Sequence, residues 1–249
     1  MTAHLAAVPG SFLNAECAFF NVGELCLSLG MSVHDTDRLS TIIPQRLKIK
    51  KGAVLYRAGD PLRSLYAVRS GYFKTTITSR DGRERLIGFP MCGELLGCDA
   101  ISNDRHECDA MALEDSEVCP IHFSQLERLA RELPSLQRNL NRALSLEIVR
   151  DHEMLLILGQ LNAEERMAAF LLDVSCRMAN RGYSGTAFVL RMSREDIGGY
   201  LGMRLETICR AIGSLRSQGI VSVSGRAVEI LDLERLRTLI TGGEGPMTL

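Results

Sequence analysis

The sequence has no run approaching the roughly 20 consecutive apolar residues that a bilayer-spanning helix needs, so no membrane association is expected. Its first residues, Met1 to Asn14, lack a basic flank followed by an apolar core; no secretory signal is expected, and the chain is placed in the cytoplasm. Neither charge is in surplus: 29 Lys and Arg against 30 Asp and Glu give a formal net charge of −1, which excludes a generic polyanion binder. The marks of catalysis are missing as well. There is no phosphate-binding glycine loop and no nucleophile elbow. His4, His34, His106, His122 and His152 are scattered, none at a metal-binding spacing from a carboxylate or cysteine, and His106-x-Cys108 reads as a polar loop beside a buried thiol. An enzyme is not expected.

What is present suits one large or two modest globular domains: 249 residues, 46% hydrophobic and 24% charged. Eight cysteines stand at positions 17, 26, 92, 98, 108, 119, 176 and 209. A disulfide framework belongs to short secreted chains, so each is a small buried hydrophobe, a metal ligand or a redox thiol.

From Pro44 to Phe123 the texture is that of short strands divided by glycines at 52, 59, 71, 82, 93 and 97. Arg80-Asp81-Gly82-Arg83 marks a hairpin turn after Lys74-Thr75-Thr76-Ile77-Thr78. Turn signals about every 10 residues predict an antiparallel sandwich or jelly roll, here termed a β-roll. A long helix follows, from about Pro134 to Leu161, with Leu140, Leu144, Ile148, Leu155 and Leu158 on one stripe of coiled-coil spacing. Asp151 falls on that stripe. It is either a snorkelling seam residue or a carboxylate facing its twin across a two-fold axis. Two carboxylates ~6 Å apart at an effective dielectric near 20 repel by roughly 2–3 kcal/mol, enough to make dimerisation conditional.

Asn162 with Glu165 reads as a capping box that opens a helix through Met178, and a polar loop around Gly182, Ser184 and Gly185 leads onward. Ser193 caps a short helix with Glu195 and Asp196 in its first turn; Gly202 breaks it, and a second helix runs from about Met203 to Ser217. This is a helix-turn-helix unit. Leu205, Ile208, Ile212 and Leu215 form its expected buried face, with Glu206, Cys209, Arg210 and Gly213 opposite. Glu206 and Arg210 are either an ordinary i, i+4 surface pair or readers of base edges, since Arg donates two bonds to guanine and Glu accepts from cytosine. The runs Ile220-Val221-Ser222-Val223 and Ala227-Val228-Glu229-Ile230-Leu231, around Ser224-Gly225-Arg226, form a hairpin placed as a wing and favour DNA. Six Arg between 191 and 226 against three acidic residues agree.

With these pieces in order, the sequence resembles the CRP/FNR superfamily of bacterial transcription regulators, and within it the FNR branch, from about Cys17 to Leu233. The most specific part is Asp196-Ile-Gly-Gly-Tyr-Leu-Gly-Met-Arg-Leu-Glu-Thr-Ile-Cys-Arg210. Supporting matches are Lys51-Gly52, Ala58-Gly59-Asp60, Leu65 to Gly71, Gly93-Glu94-Leu95 and Asn162 to Phe170. The resemblance implies an α+β chain: an N-terminal cysteine-containing segment (1–30), a cyclic-nucleotide-binding-like sensory β-roll (31–133), a dimerisation helix (134–161) and a winged helix-turn-helix domain (162–249). It implies a homodimer reading a palindromic, TTGAT-like promoter site in double-stranded DNA. Glu206 and Arg210 match the groove-facing positions of FNR-like recognition helices, and Cys209 stands where those carry Ser. Arg204, Thr207 and Ser193 are further candidate contacts. Asp151 matches an acidic seam residue that opposes dimerisation, flanked by Ile148, Leu155 and Leu158. The turn Asp81-Gly82-Arg83-Glu84 lies where FNR-like proteins touch RNA polymerase, which implies activation.

FNR-like sensors hold an oxygen-labile [4Fe-4S] cluster with three N-terminal cysteines and one from the roll. Cys17, Cys26 and Cys119 match three of those positions, while Phe20 stands at the remaining one and cannot ligate iron. Cys98 replaces a usual Phe and is the candidate fourth thiolate, ahead of Cys92 and Cys108; the alternative is a small core residue with the cluster altered or absent. Cys176 and Cys209 are not expected to be ligands. A cyclic nucleotide is not expected, because Glu107-Cys108 replaces the Arg-Ser or Arg-Thr pair that would bind its phosphate. The rival signal is a cluster-free thiol switch or another ligand.

Overall fold

The structure, a computed structural model, describes residues 26–28, 30–43, 45–79 and 81–241, with backbone only at Cys26 and Thr241. Cys17 and Phe20 lie outside the described residues.

The short runs between Pro44 and Phe123 build two four-stranded antiparallel sheets. One has the order β1 (Leu47–Ile49), β8 (Ser116–His122), β3 (Ser64–Ser70), β6 (Leu95–Leu96). The other has the order β2 (Val54–Tyr56), β7 (Asp109–Ala112), β4 (Phe73–Thr78), β5 (Glu84–Gly88). The expected hairpin is β4–β5, in register from Thr78 against Glu84 around the Asp81-Gly82-Arg83 turn. Strand alternation divides the first sheet's side chains between two cores. Val68, Val118 and Leu96 meet Phe73, Tyr56 and Ala110 of the second sheet. Leu65, Ala67, Cys119 and Ile121 form the second core with three helices. These are α1 (Val33–Thr41), α2 (Phe123–Glu132) and the start of α3 (Pro134–Gln160), which bury Leu39, Leu126, Leu129 and Leu136 there.

α3 has Pro134 in its first turn. Beyond Asn139 its outer surface carries exposed Leu146, Ile148, Val149, Leu155 and Leu156. The expected stripe departs from this at Leu140, Leu144 and Leu158, with Leu144 half-buried. Leu140 packs on the roll's helical core, and Leu158 is half-buried with its Cδ2 beside Gly202.

α4 (Ala163–Ala179) opens with the expected capping box: Asn162 accepts from the Glu165 amide, and the Glu165 carboxylate accepts from the Asn162 amide. Its Met167, Phe170 and Leu171 are buried, each worth about 1.5–3 kcal/mol, in a core shared with α5 (Arg194–Leu201) and α6 (Leu205–Ser217). The wing is β10 (Val221–Ser224) and β11 (Ala227–Ile230). The segment read as a loop before Ser193 contributes a third strand, β9 (Ala187–Val189), paired with β11; three residues with Phe188 alone buried are too short to show a period. α7 (Leu233–Thr241) closes the fold, its Leu236 in the same core. Leu86 and Phe89 of the roll also enter that core, with Phe89 edge-on to Phe170 and Tyr200. The helix-turn-helix module thus packs directly on the β-roll.

Candidate nucleic-acid interface and sensory core

Ser193 begins the reading unit. Its Oγ accepts from the Asp196 amide (3.0 Å) and donates to Asp196 Oδ2 (2.7 Å), fixing the first turn of α5. α5 ends at Gly202, whose φ of 64° is the left-handed conformation glycine tolerates. Gly198 lets α6 approach, since a Cβ there would lie 2.6 Å from the Met203 carbonyl oxygen. The Met203 amide donates to the Gly198 carbonyl at 2.8 Å, closing the turn, so α6 begins at Leu205 rather than Met203, with Arg204 as its cap residue.

α6 buries Ile208, Ala211, Ile212 and Leu215. Leu205, expected on this face, is 40% exposed: as the first residue of α6 it sits ahead of the stripe that α5 covers, and Ala211 completes the stripe instead. Arg204, Glu206, Cys209, Arg210 and Gly213 are exposed, and Thr207 is half-buried. Among the described residues no ion pair joins Glu206 to Arg210, so each presents its hydrogen-bonding capacity outward. Arg194 Nη1 lies 3.5 Å from Cys209 Sγ, extending the basic rim across to α5. Ser193 is half-buried, its hydroxyl engaged by Asp196. One guanidinium links this unit to α3: Arg166 donates to the carbonyls of Leu158 (2.8 Å), Leu161 (2.9 Å) and Leu201 (3.1 Å). The free carbonyls at the ends of α3 and α5 thus share one cap.

In the roll, the 3-10 turn Cys26–Ser28 inserts Leu27 into the core that holds Cys119, both fully buried. Buried Asn139 of α3 donates from Nδ2 to the Leu27 carbonyl at 2.9 Å. Cys98, in the 3-10 turn Cys98–Ile101, packs against this same core. Cys108 does not. It sits between the sheets, its thiol 3.4 Å from Asp99 Oδ2, and burial beside that carboxylate pushes the thiol far above its usual value. The Asp99 carboxylate also accepts from the Glu107 and Cys108 amides (2.7 and 3.2 Å), and the buried His106 ring stacks on Tyr56. Cys92 Sγ donates to the Arg69 carbonyl at 2.9 Å, at the junction between modules. Burial likewise raises the Cys119 thiol. Among the described residues no three His, Cys, Asp or Glu side chains converge as a metal site. A cluster would therefore need the N-terminal cysteines, whose side chains are not described.

No sequence signal pointed to the arginines that surround Glu94. Arg177 of α4, Arg181 in the turn that follows it and Arg150 of α3 all reach it. Gly93-Glu94-Leu95 stood in the sequence as a match to the family, and nothing local announces partners 56 to 87 residues away.

A β-roll fused through a long helix to a winged helix-turn-helix defines a signal-responsive DNA-binding regulator. The comparisons agree, and the chain belongs to the CRP/FNR family of transcription regulators. Residues 165–239 match the Crp-like helix-turn-helix domain, and residues 46–132 match the cyclic nucleotide-binding domain. The chain is 41% identical over 233 residues to the transcriptional regulatory protein btr of Bordetella pertussis, covering 94% of this chain and 96% of that one. It is 43% identical over 224 residues to the fumarate and nitrate reduction regulatory protein of Yersinia pestis, covering 90% of each. The solved structure of FixK2 from Bradyrhizobium japonicum superposes with a TM-score of 0.72 at 31% identity, covering 78% of this chain and 96% of that chain. These relatives are regulators, not enzymes. Among the described residues no helix is long and apolar enough to cross a membrane.

Proposed function

We propose that this regulator binds a palindromic, TTGAT-like promoter site as a homodimer and responds to oxygen or redox state through an iron–sulfur cluster. The observation that carries this reading is the hydrogen bond from Asn139 to the Leu27 carbonyl, beside Cys119. It ties the cysteine segment to the dimer helix, so a change at the cysteines is felt along α3. Cys17, Cys26 and Cys119 would hold the group, with Cys98 as fourth ligand. Of the three roll cysteines weighed for that place, Cys98 alone packs against the core that contains Cys119. When bound, such a cluster supplies oxygen-labile iron–sulfide chemistry.

The chain's own residues account for the rest. Ile148 and Leu155 are exposed on α3 with exposed Asp151 between them, a seam that attracts by apolar burial and repels by charge. Two copies present Glu206, Cys209 and Arg210 to successive major grooves, about one helical turn apart. The exposed turn Asp81-Gly82-Arg83-Glu84 is offered to RNA polymerase, which makes the protein an activator. No cyclic nucleotide is used: Glu94, within the matched domain, is engaged by Arg177, and Glu107 would repel a phosphate.

Iron and acid-labile sulfide analysis of anaerobically purified protein tests the signal. The reading predicts both elements, with absorbance lost in Cys119→Ala; negligible iron alongside intact operator binding would overturn the cluster and leave a thiol switch in its place.

A further inference from the structure

Three arginines converge on Glu94 from two other parts of the molecule. Arg177, on α4, donates from Nη2 to Oε2 at 2.8 Å and from Nε to Oε1 at 3.1 Å. Arg181, in the turn just after α4, donates from Nη2 to Oε1 at 2.7 Å. Arg150, on α3, donates from Nη2 to Oε1 at 3.0 Å. The Met91 amide donates to Oε2 at 3.1 Å, Arg177 Nη2 donates to the Phe89 carbonyl at 2.6 Å, and Arg181 Nε donates to the Cys92 carbonyl. The Glu94 side chain is only 11% exposed, Arg177 12% and Arg181 19%. Such shielded, bidentate charge pairs hold geometry far better than surface pairs do.

The covalent connection they brace is short. Only Leu161 and Asn162 separate α3 from α4. A reading module swinging about that joint would present its recognition helix over a range of angles, and a dimer would then lose the effective concentration that its second half-site provides. The packing of Leu86 and Phe89 and the Lys74–Asp196 pair hold one side of the module. Glu94 restricts the remaining freedom by tying α3, α4 and the turn after α4 to one loop of the roll.

We infer that Glu94, with Arg177, Arg181 and Arg150, is a positioning site for operator recognition: it locks the reading module to the sensory roll and the dimer helix, setting the spacing of the two recognition helices. The inference rests on the two-half-site reading above.

The test uses the full-length dimer with a two-half-site operator and a single half-site duplex. Glu94→Gln and Arg181→Gln should each lower affinity for the full operator about tenfold, leaving half-site affinity and the sedimentation dimer fraction within about twofold. The double variant should be no worse than the weaker single variant, because both act through one contact. Cleavage at the Leu161–Asn162 joint by a limiting protease should quicken. Arg150→Gln, at an exposed position that leaves the fold intact, should give a smaller loss of the same kind. Unchanged or raised full-operator affinity, additive losses, or equal losses on the half-site would overturn the inference. Unchanged binding in Arg150→Gln would contradict the link to the dimer helix. Wild-type protein gaining nothing from the second half-site would overturn the two-half-site reading itself.

Discussion

The side-chain amide of Asn139 and the main-chain carbonyl of Leu27 meet at 2.9 Å inside the protein, although 112 residues separate them. A helix-interior Asn is a weak choice for helix stability, so its burial is explained by this tertiary bond. Asn139→Ala strands the Leu27 carbonyl and should cost about 1–3 kcal/mol. Calorimetry should show a lowered Tm, and anaerobic protein should keep its iron while its dimer fraction falls. An iron-replete Asn139→Ala protein that dimerises normally would disconnect Leu27 from the dimer helix.

Arg166 caps the ends of α3 and α5 together. Replacing it with Gln removes charge-assisted bonds worth about 1.5–3 kcal/mol each in typical settings. Sedimentation should show a normal dimer, while fluorescence anisotropy should show weakened operator binding. A variant that fails to dimerise yet still binds each half-site would reverse these roles.

Asp151 lies exposed on the seam between Ile148 and Leu155. Removing the carboxylate as Asp151→Ala relieves roughly 2–3 kcal/mol of repulsion, or about 30- to 150-fold in the dimerisation constant. Dimer fraction and operator affinity in air should both rise. No rise in either would show that the two carboxylates do not face one another.

Asp196 joins the capping box of α5 to Lys74 of the roll, 2.7 Å away. Burial favours the neutral carboxyl, but the Lys74 bond and the Ser193 hydroxyl and amide outweigh it and hold Asp196 below the usual carboxylate range. A depressed native value stabilises the fold fully above about pH 4 and is lost as pH falls through that native value. Lys74→Gln should therefore move the acid-unfolding midpoint to higher pH while changing stability near the midpoint's alkaline side less than the loss of Asp196 itself. An unmoved midpoint would show the contact to be dispensable.

Local chemistry was legible in the sequence. Asn162 with Glu165, Ser193 with Asp196, and Gly202 write their caps within four residues, and the helix-turn-helix follows from them. Features set by distant partners were not. Leu205 fits the helical period, yet α5 does not reach it. β9 exists because β11 pairs with it, and Leu158 is drawn from the seam toward Gly202. Glu94 shows the same limit: its partners are Arg150 on α3, Arg177 on α4 and Arg181 in the turn after α4, all far along the chain. The proposed cluster ligands were the least legible, because Phe20 interrupts the cysteine pattern and the sequence does not reveal that Cys98 packs on the core that contains Cys119.

The most direct test of the account is footprinting and affinity measurement of Arg210→Glu on a TTGAT-like palindrome. Reversing an exposed charge on α6 leaves the buried stripe of Ile208, Ala211, Ile212 and Leu215 untouched. Wild-type protein should protect two symmetric half-sites, and the variant should lose about 1–3 kcal/mol or more per half-site while still dimerising. Full protection by a folded Arg210→Glu dimer would contradict the assignment of this face to DNA.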